Sequence, residues 1–260
     1  MKIDILDLEG KKTKSIDLPS QFNEYYEPGL IIRAIISIHN RLRQKYGADP
    51  RAGFKHAATL SRRRRDYKGS YGKGISRVPR KILWRRGMQF GWAGAEAPGT
   101  RGGRKAHPAK AAKDWETKIN KKEKSKAMRS VLAGLLENKK VFAVVNDLEN
   151  LTKTKEVENT LGKMGFKEEL GRVKEKTIRS GKGKMRGRKY KIKRGPLVVV
   201  GGECKTLNAL KNVQGCEIAV VNSLNPSLVA ARNGDLRQVI FTENALNKMS
   251  KDGLFRMENK

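Results

Sequence analysis

Cysteine is almost missing: Cys204 and Cys216 are the only two in 260 residues. Two thiols build no disulfide framework, and their spacing fits no zinc-ligand pattern, so they read as structural residues kept reduced. No run of eighteen apolar residues occurs, and Asp4 and Asp7 interrupt the hydrophobic positions where a signal peptide would need them. A soluble, cytoplasmic protein with no membrane partner is expected. Histidine is scarce as well. His39 falls on the apolar side of a predicted helix and reads as a core or edge residue, while His56 and His107 have no neighbouring carboxylate to orient them as general bases.

Acidic residues are absent where a metal-dependent nuclease would want them. From Arg51 to Lys113 only Asp66 and Glu96 occur, thirty residues apart. Nucleotide motifs fail too. Gly201 and Gly202 precede Lys205 and Thr206, but a phosphate-binding loop needs glycine immediately before the lysine, and Cys204 stands there. Gly181, Gly183 and Gly187 miss the dinucleotide fingerprint by one residue and follow no strand. No cofactor and no metal are expected. Asp147 and Glu149, placed after a predicted strand, are what remains for a site at the carboxyl edge of a sheet.

What the chain has in excess is positive charge, and it is local. Residues 51–113 hold 18 Lys or Arg against those two acids, a net +16, together with ten glycines. Residues 172–194 hold 12 against the single Glu175, a net +11, which leaves +5 of the total +32 for the other 174 residues. Two concentrated blocks in a nearly balanced chain are contact surfaces for a polyanion rather than a general solubility device. Phe54, Tyr67, Tyr71, Trp84, Phe90 and Trp92, six of the 16 aromatics, sit inside the first block. Cations neutralise phosphates while flat rings stack on exposed bases, so RNA with unpaired bases fits this composition better than duplex DNA. Mutual repulsion predicts a segment without structure of its own until phosphates neutralise it, and run out and back it would reach roughly 100 Å at about 3.3 Å per residue.

The flanking sequence is patterned for a core. Ile3 to Leu8 and Ser15 to Leu18, around Gly10, predict a hairpin at a sheet edge. Leu30 to Lys45 predicts a helix with Ile31, Ile35, Ile38 and Leu42 in its stripe, ended by Gly47 and Pro50. Asn120 with Glu123 predicts a capping box ahead of Met128, Val131, Leu132, Leu135 and Leu136. Short apolar runs at 141–145, 197–200, 217–221 and 238–241 predict buried strands; helices are predicted through Val157, Leu161 and Met164 up to Gly165, over Thr206 to Leu210, after Asn225-Pro226, and from Thr242. The fold class is therefore α/β, a three-layer α/β/α arrangement with a mostly parallel sheet. Residues 1–50 and 114–260 form the globular domain, and 51–113 is a long extended basic loop inserted in it.

The expected RNA-binding residues follow the charge. They begin with Arg51, Lys55 and His56, then the run Arg62, Arg63, Arg64 and Arg65. Next come Tyr67, Lys68, Tyr71 and Lys73, among glycines that let backbone amides approach a phosphate. Arg77, Arg80, Lys81, Trp84, Arg85, Arg86 and Trp92 continue the series, and Arg101, Arg104, Lys105, His107 and Lys110 end it. In the second block they are Lys182, Lys184, Arg186, Arg188 and Lys189. Both tryptophans are expected to be covered by RNA rather than by protein.

Four stretches carry a family resemblance: Thr100-Arg-Gly-Gly-Arg-Lys-Ala-His-Pro108, Lys126-Ala-Met-Arg-Ser-Val-Leu-Ala133, Leu224-Asn-Pro-Ser-Leu228 and Val239-Ile-Phe-Thr-Glu-Asn-Ala-Leu246. Over nearly its whole length the chain resembles the L-four family of large-subunit ribosomal proteins in its archaeal form. The resemblance implies a globule on the ribosome's exterior and a loop that penetrates the large-subunit RNA to the wall of the peptide exit tunnel, with Tyr67 to Arg86 nearest the tunnel. It implies ribosomal RNA, neighbouring ribosomal proteins and the passing nascent polypeptide as partners, a structural role in assembly, and no enzymatic activity. The loop is longer than in bacterial members and the carboxyl-terminal extension of eukaryotic ones is missing, so operon control is not carried over. An RNA-modifying enzyme with a basic clamp would instead need polar groups converging beside the carboxyl edge of the sheet. A nonspecific chromatin-type binder would show no preference for structured RNA over duplex DNA at matched salt.

Overall fold

In the computed structural model, which describes residues 1–256, the chain opens on β1 (Lys2–Leu6) and β2 (Lys12–Asp17). They pair antiparallel with Ile3 opposite Ile16, as the apolar pattern requires. Helix α1 (Pro28–Leu42) starts on a proline, whose missing N–H costs nothing in the first turn, and buries Ile31, Ala34 and Ile35. It ends three residues earlier than the spacing predicts. The buried stripe stops at Ile35, so Leu42 is exposed and so is His39. His39 is therefore not a core residue but an exposed one in the last helical turn.

Residues 43–115 form a compact unit of their own. It contains β3 (Ala58–Thr59), β4 (Arg80–Arg86) and β5 (Gln89–Gly94) in an antiparallel sheet of order β3-β4-β5. This corrects the expectation that the basic segment has no structure of its own. Backbone pairing and ring contacts organise it even though the side chains repel.

The other unit consists of residues 1–42 and those from 116 onward. Helix α2 (Lys121–Glu137) begins at the predicted box, with the Glu123 carboxylate accepting from the Asn120 N–H at 3.3 Å. Next come β6 (Val141–Val144), α3 (Thr154–Leu161) and α4 (Lys167–Lys174). The predicted stop at Gly165 is a kink rather than an end: Gly165 takes φ +94°, and the helical path resumes at Lys167 to bury Leu170 and Val173. A ribbon of β7 (Thr177–Ile178) and β8 (Tyr190–Lys191) precedes β9 (Leu197–Val200), α5 (Thr206–Lys211), β10 (Glu217–Val220) and α6 (Pro226–Val229). The chain then completes β11 (Val239–Thr242) and α7 (Glu243–Lys251), whose N-cap Thr242 accepts from the Ala245 N–H.

Six strands make one sheet in the order β10-β9-β11-β6-β1-β2, parallel throughout except for the edge strand β2. Period-two alternation divides the core between its faces. Leu197, Val199, Val239 and Phe241 pack with α1, α2, α6 and α7, whereas Val198, Val200 and Ile240 pack with α3, α4 and α5. The α/β/α layering is thus the one that the uninterrupted apolar strands predict.

At the amino ends of these strands lies a groove of about 550 Å³ lined by Lys140, Arg172, Arg194 and Arg237 with Glu169. Arg237 is its fixed point. Its guanidinium meets the Glu217 carboxylate at 2.6 Å and donates to the carbonyls of Gly195 at 2.8 Å, Pro196 at 3.0 Å and Leu228 at 3.2 Å. Burial pulls its pKa down and Glu217 holds it up.

Both cysteines are free, and burial pushes the Cys216 thiol up to about 11. At pH 8 only about one molecule in a thousand then carries the thiolate, the form that attacks disulfide reagents. Labelling of Cys216 is expected to be slow in the native protein and to rise by orders of magnitude in urea. Equal rates in the two conditions would show that the site is open.

Candidate nucleic-acid interface

The unit of residues 43–115 is built on the β4–β5 hairpin. Gly87 at φ +57° begins the two-residue turn, and the register runs from Arg86 opposite Gln89 to Arg80 opposite Gly94. On one face Phe90 packs edge-on against Tyr67 at 5.3 Å and against Trp92 at 5.4 Å. Cations lie over these rings: Arg80 is 5.1 Å from the centre of Trp92, while Lys68 and Arg85 are 5.4 and 6.0 Å from that of Tyr67. Arg77 sits 4.9 Å over Tyr71. The rings help to hold these cations in place, together with hydrogen bonds from Lys68 to the Thr59 hydroxyl, from Arg80 to the Val78 carbonyl and the Ser76 hydroxyl, and from Arg85 Nε to the Gly87 carbonyl. The clustering thus relieves part of the repulsion that the sequence alone suggests.

Before the hairpin, Arg62 to Arg65 are all exposed in a tight turn closed by Asp66. The Asp66 carboxylate accepts from the Ser61 hydroxyl at 2.5 Å and from the Tyr67 N–H at 2.8 Å. Those two bonds, with the charge of Arg63, hold its pKa below the ordinary carboxylate value. Asp66 is therefore a clasp for the arginine turn. Asp49 plays the same part farther back, accepting from Lys55 at 2.5 Å and from the Arg51 N–H at 2.9 Å, which lowers its pKa.

The Thr100-to-Pro108 stretch is shaped by other members of the predicted set. His56 Nε2 lies 3.1 Å from the Gly102 carbonyl, and Lys81 donates to the Arg101 carbonyl at 3.3 Å. His56 and Lys81 thus orient this turn. Arg101, Lys105, His107 and Lys110 are exposed around it, and Arg104 is half-buried, its N–H donating to the Glu96 carbonyl. Sequence reasoning missed a further cluster: Trp115 packs against Tyr46 at 4.7 Å with Arg43 and Lys113 each 5.6 Å from its ring. The lysine two residues before a tryptophan is the signal that was there to be read.

The second basic block is an ordered ribbon within the other unit. Ile178 pairs with Tyr190, Arg179 donates from its backbone to the Lys189 carbonyl and from Nε to the Arg188 carbonyl, and a short helical turn (182–186) lies between Gly181 and Gly187. Lys182, Lys184, Arg186, Arg188 and Lys189 are exposed along its end. At its base the cations are tied down instead, Arg172 by both oxygens of Glu169 and Lys193 by Glu175, which lowers both carboxylate pKa values. None of the 28 predicted contact residues is buried; His56, Lys68, Arg80, Lys81, Trp92 and Arg104 are half-buried and the rest are exposed.

The carboxyl edge of the sheet has different chemistry. Glu149 accepts from the Thr242 hydroxyl at 2.7 Å, and from the Gly201 N–H and the Asn244 amide at 3.3 Å each. It ties β9, β11 and α7 together, so its oxygens are already spent on structure.

Residues 16–252 match the family described as Ribosomal protein L4/L1. The chain is 42% identical to the large ribosomal subunit protein uL4 of Nanoarchaeum equitans, over 98% of its own length and all of that protein. It is 36% identical to the protein of the same name from Methanocaldococcus jannaschii and 34% to that from Archaeoglobus fulgidus, in each case over 96% of this chain and 99% of the relative.

Proposed function

We propose, because the chain belongs to the Ribosomal protein L4/L1 family, that it is a structural constituent of the large ribosomal subunit in the cytoplasm. Members of the family are ribosomal components and not enzymes, and the chain is no enzyme. In this reading residues 1–50 and 114–260 are the globular anchor. The inserted segment 51–113 penetrates the ribosomal RNA, lines part of the polypeptide exit tunnel beside the passing nascent chain, and crosslinks RNA during assembly. The exposed ribbon of residues 177–191 grips RNA from the globular part, and neighbouring ribosomal proteins complete the surroundings.

One observation carries the RNA contact: cations are placed over aromatic rings, the exposed Arg77 and Arg85 among them, in a segment of net +16. A guanidinium fixed in this way can bridge two phosphate oxygens without first losing its rotamer freedom. The enzyme alternative is weakened at Glu149, whose oxygens already accept from the Thr242 hydroxyl, the Gly201 N–H and the Asn244 amide. Among the described residues no helix is long and apolar enough to cross a membrane.

The reading is tested by sedimenting the tagged full chain from lysate in high salt beside a variant lacking residues 55 to 110. The full chain should remain with the large subunit and the shortened one should fall away. A full chain that washes free would mean screened surface attraction and not an RNA-embedded anchor.

A further inference from the structure

The strand pairing of the β4–β5 hairpin is interrupted once, between Ile82 and Trp84. Ile82 faces Trp92, but the next pair is Trp84 with Gly91, so Leu83 is the extra residue of a bulge. One inserted residue reverses the side to which all later side chains point. Without it Trp84 would share the face of Ile82 and join Trp92. With it Trp84 lies on the opposite face, away from the Tyr67–Phe90–Trp92 cluster. There its indole covers Gly91 so closely that a Cβ on that residue would fall 2.2 Å from Nε1 and 2.6 Å from Cε2. Glycine is what lets the ring lie flat. The other side is open: Trp84 is 56% exposed, and among the described residues it makes no ring–ring or cation–ring contact. Trp92, Tyr67 and Tyr71 differ, since each carries a cation.

Resting on the RNA-binding reading above, we propose that Trp84 is a stacking platform for one unpaired RNA base. The base lies on the indole face turned away from Gly91. Arg86 stands two residues along the same strand face, about 7 Å away at the usual strand rise, and takes the adjoining phosphate. RNA is the occupant argued here because the face belongs to a segment with 18 cations and two acids, and a flat indole accepts any base. Packing of a ring on a hairpin glycine also supports the hairpin itself. That role alone would not distinguish a nucleic acid with bases from one without them.

The experiment uses the full chain with Trp92→Phe and Trp115→Phe, which leaves Trp84 as the sole indole. It is titrated with an oligouridylate and with a ribose–phosphate chain of the same length that lacks bases. Oligouridylate is expected to quench the fluorescence, and the abasic chain to bind without quenching. Trp84→Ala should weaken oligouridylate binding at least about fivefold, the lower end for one stacked base, and leave abasic binding unchanged. Trp84→Phe keeps a ring and should retain most of the affinity. If oligouridylate binds without quenching, or binds Trp84→Ala as tightly as its parent, the platform is refuted and RNA binding stands. If neither polymer binds the parent, RNA binding fails and the platform with it. Should Trp84→Ala disturb the hairpin, the quenching comparison decides alone, because it alters nothing at position 84.

Discussion

Raising the salt from 50 to 200 mM is expected to weaken binding of this chain to irregular, single-stranded RNA by about 300- to 16,000-fold, the range for six to ten phosphate contacts. The two basic blocks expose ample cations for that number. Counterion release makes the logarithm of affinity linear in the logarithm of salt, with a slope of about −0.7 per phosphate on single strands. Replacing Arg62, Arg63, Arg64 and Arg65 together by Ala should therefore flatten the slope by roughly 3 and impair incorporation into the particle. The globular part should melt as before, since all four side chains are exposed in the separate unit of residues 43–115. A slope that the fourfold replacement leaves unaltered takes this turn off the contact surface.

Arg237→Ala is expected to cost the globular unit about 3 to 5 kcal/mol, the range for breaking a buried ion pair from one side. The guanidinium is only 9% exposed, and its loss strands the carbonyls of Gly195, Pro196 and Leu228 and leaves Glu217 with Arg194 alone, at 3.7 Å. Against a typical total of about 5 to 15 kcal/mol this is a large share. With a urea m-value on the order of 2 kcal/mol per M, the midpoint should fall by roughly 2 M. Arg237→Lys should recover part of the loss, because a single ammonium does not span all four acceptors. A midpoint that moves by less than about 0.3 M would show that water replaces the guanidinium at no cost.

The parallel core was readable because it is local and redundant. Leu197 to Val200 has no polar residue to place, so burial on both faces is the one arrangement that satisfies it. The Asn225 cap and the Asn120 start are likewise complete within three residues of sequence. Gly165 misled because a left-handed glycine normally ends a helix, whereas here the apolar positions Leu170 and Val173 draw the chain back onto the same face. The β4–β5 hairpin escaped notice because the bulge at Leu83 breaks the alternation by which a strand is recognised. Charge identified the candidate interface, since a cation's attraction for phosphate needs no partner in the chain. Which cation lies over which ring was not legible, because Arg80 over Trp92 and Arg85 over Tyr67 exist only once strand register and the approach of residue 67 are set.

The sheet order has a bearing on how the molecule is made. β11 lies at the centre, between β9 and β6, yet it is the last strand to leave the ribosome that synthesises it. The sheet stays split until residue 242 has emerged, roughly 130 residues after the first basic block is complete. At ordinary translation speeds that delay is on the order of ten seconds. During it a newborn chain carries the first basic block, and later the second as well, with no closed core, and whichever nucleic acid it meets in that interval competes with its proper site.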